Sequence, residues 1–350
     1  MQMKENQPLA PFTTFGIGGP ARWFVEAASE DEVAEAAAWA RERGVALFVL
    51  GGGSNLLVSD AGFDGLVLRP ALRGVELRDE VFRVGAGEDW DSFVSVAVAR
   101  GFAGVECLAG IPGTVGGTPV QNVGAYGQEV SSVIDRVRAF DLEKHAYVEF
   151  SVAECGFAYR RSRFNSTDRG RYVVTRVDFR LMHGGPPTLG YADLQRAVQQ
   201  GGEEGPVPSL ADVAAAVRHV RHSKGMLLVE GDPDCRSAGS FFKNPVVTER
   251  ELGQMQKTCG KAPPRFPAGP GQVKLAAAWL IEQAGFPKGY SLSAAGISSR
   301  HTLALINRGG ATAAEIMALA DQIVTAVEAQ FGIRLEMEPV MMGSWPLVIE

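Results

Sequence analysis

Leu50-Gly51-Gly52-Gly53-Ser54-Asn55 is the stretch on which the fold turns. It leaves Val45 to Leu50, a short, wholly apolar run that reads as a buried strand. Consecutive glycines beyond a strand leave several backbone N–H groups uncovered, and such a run can cradle an anion. Upstream, Ser29 with Glu32 reads as a capping box. Val33, Ala36, Ala37 and Ala40 recur at helical spacing, and Gly44 ends the pattern. The opening is therefore β-α-β with a glycine loop at its close.

A second glycine cluster, Gly110-Ile111-Pro112-Gly113-Thr114-Val115-Gly116-Gly117-Thr118, continues into Gln121-Asn122-Val123-Gly124-Ala125-Tyr126-Gly127. Glycines at this density let a backbone lie against a ligand, while Thr, Gln and Asn offer directional hydrogen bonds. A third, Gly16-Ile17-Gly18-Gly19-Pro20-Ala21, satisfies the dinucleotide fingerprint G-x-G-x-x-A but sits in the wrong context. No strand precedes it, Pro20 lacks an N–H, and Arg22 to Glu26 reads as a strand where a helix is required. It is read as a tight turn.

Strand signals dominate from about Val67: Val81 to Val84, a hairpin of Val133 to Phe140 and Ala146 to Phe150, and an alternating run from Val173 to Leu181, with a helix from Asp89 to Arg100 between. Gly- and Pro-rich composition at Gly184 to Pro187 and at Gln199 to Pro208 suggests a boundary near the second. Helices follow at Val213 to Val220, Val273 to Ala284 and Ala313 to Phe331, the last opened by Thr312 with Glu315. Arg334 to Met342 reads as a closing strand that returns to the strand-rich part. The expected fold class is α+β, with units 1–66, 67–207 (joined by 333–350) and 208–332.

The 350 residues carry a net charge of −6, which argues against a nucleic-acid protein. No run is long and apolar enough for membrane insertion. Cys107, Cys155, Cys235 and Cys259 are dispersed, without metal spacing, and read as reduced thiols of a cytoplasmic protein. No metal site is expected.

Ser237-Ala238-Gly239-Ser240-Phe241-Phe242-Lys243-Asn244-Pro245 sets a hydroxyl among small residues ahead of two aromatic anchors. Its plain reading is a strand end with a capping serine. Together with Thr13-Thr14-Phe15-Gly16-Ile17-Gly18-Gly19, Phe157-Ala158-Tyr159-Arg160, Lys274 to Gly285 and Leu335 to Gly343, however, it resembles the UDP-N-acetylenolpyruvoylglucosamine reductase family from Phe12 to Gly343. The resemblance implies a vanillyl-alcohol-oxidase-type FAD-binding domain of two α+β subdomains and a C-terminal α+β substrate-binding domain. It implies non-covalent FAD, NADPH as donor, and reduction of UDP-N-acetylglucosamine enolpyruvate to UDP-N-acetylmuramate in peptidoglycan synthesis, which serves cell-wall formation and cell division.

Arg160, Ser240 and Glu338 are the catalytic set the resemblance implies: carboxylate binding, proton donation and an assisting acid. The cofactor would lie against Thr14, Gly51, Gly52, Gly53, Ser54, Asn55, Ile111, Pro112, Gly113, Thr114, Gly117, Thr118, Gln121, Asn122, Gly124 and Ala125. Tyr191, on an arm from Gly184, matches the tyrosine of a subclass whose loop closes over the nucleotide; Lys224, Asn244 and Gln283 match positions holding diphosphate or sugar. Lys224 reads equally well as a lysine serving a helix C-terminus. Pro339 after Glu338, and a long Lys224–Ser240 linker, depart from the family pattern. A monomer is expected.

Two other readings compete. Ser240-Phe241-Phe242-Lys243 is also S-x-x-K, but the S-D-N and K-T-G motifs of penicillin-recognising enzymes are missing. An FAD oxidase with another substrate often tethers flavin through a histidine; here His145 falls at a hairpin turn.

Overall fold

The computed structural model describes residues 1–198 and 207–345. They divide into two compact units. The first comprises Met1–Gln7, Ala21–Gly53 and Phe63–Ser223; the second comprises Pro8–Pro20, Ser54–Gly62 and the chain from Lys224 onward.

The first unit holds two large sheets and two two-stranded ones among the described residues. One large sheet runs in the order Met3–Pro8, Pro20–Ala27, Phe63–Pro70, Leu47–Val49, the last two strand pairings being parallel. Its crossover helix, Glu30–Glu42, buries the expected Val33, Ala36, Ala37 and Ala40 against Val25, Ala27, Leu66 and Leu68. Ser29 caps it by accepting from Glu32 N–H, whereas the Glu32 carboxylate reaches past the cap to Ala28 N–H. Pro20–Ala27 is a strand, so no helix follows the false fingerprint.

The other large sheet is antiparallel, in the order Ala146–Ser151, Ile134–Asp141, Tyr172–Arg180, Val81–Gly85, Val75–Arg78. Tyr172–Arg180 is central, which blurs its half-buried alternation: Val174 is 6% exposed and Asp178 4%, the latter paired with Arg176 at 2.7 Å. Trp90, Phe82, Phe93 and Phe179 form the aromatic heart of this core, and Trp90 Nε1 donates to Leu108 O. Burying each such side chain stabilises the fold by roughly 1.5–3 kcal/mol.

The second unit is built on Ala313–Phe331, whose ends and buried face match the sequence reading. Thr312 and Glu315 complete a capping box, and Asp60 accepts from the next two free N–H groups, Ala313 and Ala314. Two small antiparallel sheets cover the helix.

Four expectations differ from what is observed. Val273 lies in a strand, Gln272–Leu275, paired with Val247 and Pro267; only Ala277–Gln283 is helical. Leu210–Ser223 packs into the first unit's core, not with residues 224–332. The closing strand is only Val340–Met342 and pairs in parallel with Leu56–Val58, inside the second unit. The expected division at 66/67 falls inside the Phe63–Pro70 strand. Long-range pairing draws these segments together, and a left-to-right partition does not contain that information. Most of the expected boundary at Gln199 to Pro208 lies outside the described residues.

Candidate functional site

In the first unit the two glycine loops pack on each other. A β-carbon at Gly52 would lie 2.5 Å from Gly113 Cα, and one at Gly51 would lie 3.3 Å from Thr114 Oγ1. Backbone this close leaves no room for a side chain at 52, whatever else binds there. Gly53 needs glycine for a different reason, its φ of 62°. Gly117 differs from all of these. Nothing lies closer than 4.0 Å to a β-carbon there, and its φ is outside the left-handed region. The chain itself gives no reason for a glycine at 117, so a cradle wall kept bare for a ligand fits the observation.

The start of the second loop is pinned from both sides. Gly110 N–H donates to Asp91 at 2.6 Å, and its carbonyl accepts from Arg221 Nε at 3.0 Å. Arg218 braces Asp91 at 2.7 Å, and burial pulls the Arg221 guanidinium below its ordinary pKa. The sequence reading missed this trio; the signal was Arg218 and Arg221 spaced i, i+3 on a helix whose valines face the core. Farther along, Ile111, Pro112, Gly113, Thr114 and Gln121 are half-buried and Gly124 and Ala125 form a short strand. Thr118 and Asn122 turn inward. The Thr118 hydroxyl donates to Val115 O, while Asn122 spends its amide on Glu129, Ala158 O and Ser131 N–H.

Arg160 follows from a local device. Ala158 and Arg161 exchange two backbone hydrogen bonds of 2.9 and 3.0 Å, forcing Tyr159-Arg160 into a tight turn with Arg160 at φ 55°. A non-glycine held there costs on the order of 1–3 kcal/mol, strain that concentrates at working residues. The guanidinium donates to Gly124 O at 3.0 Å and lies 5.3 Å from the Tyr159 ring centroid. Tyr191 is half exposed, with its ring edge-on to Tyr126 at 5.9 Å. The arm leading to it is fastened twice: Met182–His183 pairs with Phe102–Ala103, and Thr188 N–H is held by Glu106 at 2.8 Å.

In the second unit Phe241 and Phe242 are the buried anchors expected, and Ser240 beside them is half-buried. Phe241 O accepts from Glu338 N–H at 2.9 Å, and Phe242 bridges Met337. Asn55 secures the other side, donating from Nδ2 to Glu338 O at 3.3 Å and accepting from Val340 N–H at 2.9 Å. Ser240's segment, Asn55 and Glu338 are thus brought together. Pro339 fits because the pairing uses the N–H groups on either side of it. Thr14 ties the same region by donating to Ser237 O.

The long linker is bound down by Arg300, which pairs with Asp232 and with Asp234 at 3.1 Å. Lys224 directly follows the Leu210–Ser223 helix. Asn244 Oδ1 accepts from Ala277 N–H at 3.0 Å and so caps a helix whose own N-cap, Ala276, has no side-chain oxygen. Gln283 ends that helix, about 9 Å along the axis, so the pair suits an extended ligand better than one compact group. His301, which the sequence reading passed over, stays neutral. Burial first, then Lys224 and Lys288, push its pKa down to about 4. The buried thiols of Cys107 and Cys155 are pushed up to about 12 by desolvation and are inert at neutral pH.

Residues 21–144 match the family of FAD-binding domains, and residues 232–342 match that described as UDP-N-acetylenolpyruvoylglucosamine reductase, C-terminal domain. Residues 21–144 therefore form an FAD-binding α+β domain, and the protein is an FAD-dependent oxidoreductase. UDP-N-acetylenolpyruvoylglucosamine reductase of Thermobifida fusca is 48% identical over 97% of both chains; that of Streptomyces coelicolor is 46% identical over 98% of this chain and 91% of its own. The crystal structure of the reductase from Thermus caldophilus superposes with a TM-score of 0.68 at 27% identity, covering 97% of this chain and 100% of that one. This chain belongs to the UDP-N-acetylenolpyruvoylglucosamine reductase family, which acts in peptidoglycan precursor synthesis. Among the described residues no helix is long and apolar enough to cross a membrane.

Proposed function

We propose that the protein reduces UDP-N-acetylglucosamine enolpyruvate to UDP-N-acetylmuramate in the cytoplasm, with NADPH as electron source and Arg160, Ser240 and Glu338 as the catalytic set. The observation that supports this most is the backbone clasp around Glu338. It sets the carboxylate-bearing residue beside Phe241, next in chain to Ser240, in a family member whose Arg160 is independently strained into place.

FAD, when bound and reduced by NADPH, would supply the hydride for the enolpyruvyl double bond. The residues manage the charge this leaves behind. Arg160 meets the substrate carboxylate in two-point fashion, and its fixed guanidinium stabilises negative charge as it develops there. Its bond to Gly124 O holds one edge of the guanidinium in place. Ser240 then passes its hydroxyl proton to the carbon adjacent to that carboxylate. A hydroxyl is a weak acid, so it never ionises early near neutral pH, yet a carbanion-like carbon is basic enough to take its proton. Glu338 assists at the carboxylate. Gly51, Gly113, Thr114 and Gly117 would hold the cofactor by backbone approach, and Lys224, Asn244, Gln283 and Tyr191 the nucleotide.

Anaerobic stopped-flow separates the two half-reactions. The expected result is flavin reduction by NADPH followed by reoxidation on adding the enolpyruvyl sugar nucleotide. Flavin that stays reduced in excess sugar nucleotide overturns the assignment.

A further inference from the structure

Glu106 has a conspicuous place in the first unit and no role in the chemistry above. Its carboxylate is fully buried, at 0% exposure, beside an apolar core. Three N–H donors satisfy it: Gly104 N–H on one oxygen, and Gln128 Nε2 and Thr188 N–H on the other, each at 2.8 Å. A buried carboxylate left short of partners is costly, so a carboxylate with three converging donors is a junction that resists being pulled apart.

The donors come from separate pieces of chain. Thr188 belongs to the arm that leads to Tyr191. Gln128 adds a second grip on that residue, donating to Thr188 Oγ1 at 3.1 Å, and Cys107 Sγ donates to Thr188 O at 3.2 Å. The Gln128 carbonyl accepts from Cys107 N–H at 2.8 Å, so its amide cannot rotate freely. Gln128 also lies in a two-residue strand whose partner is Gly124–Ala125, with Gln128 opposite Ala125 and Glu129 opposite Gly124. The carbonyl of that same Gly124 accepts from Arg160. Side-chain hydrogen bonds from the arm's root to Glu106 and Gln128, and then the short strand pairing of Gln128, thus lead to the Gly124 carbonyl on which Arg160 rests.

We propose that Glu106 is a positioning residue that fixes, in one junction, both the root of the Tyr191 arm and the Gly124–Gln128 hairpin against which Arg160 rests. This rests on the roles assigned above to Arg160 and Tyr191. The arm then hinges after Thr188, not along the whole glycine- and proline-rich stretch from Gly184. Two acceptor oxygens matter, because an isosteric amide at 106 offers only one and turns an N–H toward a donor.

The test uses Glu106→Gln and, because a buried substitution can weaken folding, the milder Thr188→Val, which keeps shape and removes only the hydroxyl that accepts from Gln128. Protease cleavage between 184 and 198 in the ligand-free holoprotein should rise about tenfold in Glu106→Gln, within the range set by one unsatisfied buried donor. In the same variant, saturated reoxidation by the sugar nucleotide should slow about tenfold while reduction by NADPH is unchanged. The two substitutions combined should give less than the product of their separate effects, as residues in one network do. Unchanged cleavage, equal slowing of both half-reactions, or multiplicative effects would each overturn the proposal. If the unsubstituted protein fails to be reoxidised by the sugar nucleotide, the functional reading falls, whereas the cleavage measurements still decide the junction.

Discussion

Gly117 offers the sharpest test of where the cofactor lies. At Gly52 an added β-carbon would sit 2.5 Å from Gly113 Cα, against the roughly 3.5–4.0 Å at which carbon atoms attract. The two loops would have to separate by about an ångström, and overpacking of that kind costs about 1–3 kcal/mol. Gly52→Ala should therefore lower both thermal stability and flavin content, and loss of colour there says nothing specific about ligand contact. At Gly117 the nearest atom is 4.0 Å away and the backbone is unstrained. Gly117→Ala should leave the apoprotein as stable as before, or more stable by about 0.4–1 kcal/mol through the stiffer unfolded chain. If FAD lies against that backbone, the methyl should weaken its binding by the same 1–3 kcal/mol of overpacking, about five- to 150-fold. Titration of apoprotein with FAD, beside a thermal melt without it, measures both quantities. Unaltered FAD affinity in Gly117→Ala would show that this loop faces elsewhere, and the cradle reading would fail.

Ser240→Ala should leave flavin reduction by NADPH intact and slow reoxidation by roughly 10²–10⁴-fold, as for removal of a general acid; equal slowing of both steps in stopped-flow would remove Ser240 from the chemistry. Tyr191→Phe keeps the ring on Tyr126 and deletes only the hydroxyl, so sugar-nucleotide affinity should weaken by about 1 kcal/mol, read by calorimetry, with NADPH reduction barely changed. An unchanged affinity would leave Tyr191 without a role in nucleotide binding. His301 has a folded pKa of about 4 against an ordinary 6.5, so between those values the unfolded chain binds more protons and stability falls as pH drops. His301→Gln should flatten that part of the stability–pH curve by up to roughly 3 kcal/mol, measured by urea titrations at pH 7 and pH 4.5; parallel curves would mean His301 is protonated in the folded state.

Local signals were legible in the sequence wherever one element carries its own boundary markers. Ala313–Phe331 could be read to the residue because Thr312 and Glu315 cap it, glycine ends it and five core residues fall at helical spacing. Val273 was misread because an apolar β-branched residue ahead of Ala277 extends a helical pattern as readily as it closes a strand, and only its partners Val247 and Pro267 settle which. The glycine loops were recognisable as a candidate site, but not the reason for each glycine: position 52 answers to Gly113, position 117 to nothing within the chain. Asp91, Arg221 and Glu106 were invisible because each acts on a residue distant in sequence. An isolated Asp or Arg carries no mark of its partner.

Pro339 bears on the register in which the Glu338 segment pairs. Glu338 is fixed through its main chain: its N–H goes to Phe241 O, and Val340 N–H goes to Asn55 O. In an extended segment a slip of one residue reverses every side chain, which would turn Glu338 away from the face it now occupies. With proline at 339, the one-residue slip that presents residue 339 to Phe241 O meets a nitrogen without hydrogen, and a buried carbonyl is left unsatisfied at a cost of about 1–3 kcal/mol. Any other residue there would bring an N–H to Phe241 O in the slipped register and give no such discrimination. Proline at 339 therefore removes the nearest competing alignment, and it does so at the residue next to the carboxylate proposed above to assist at the substrate.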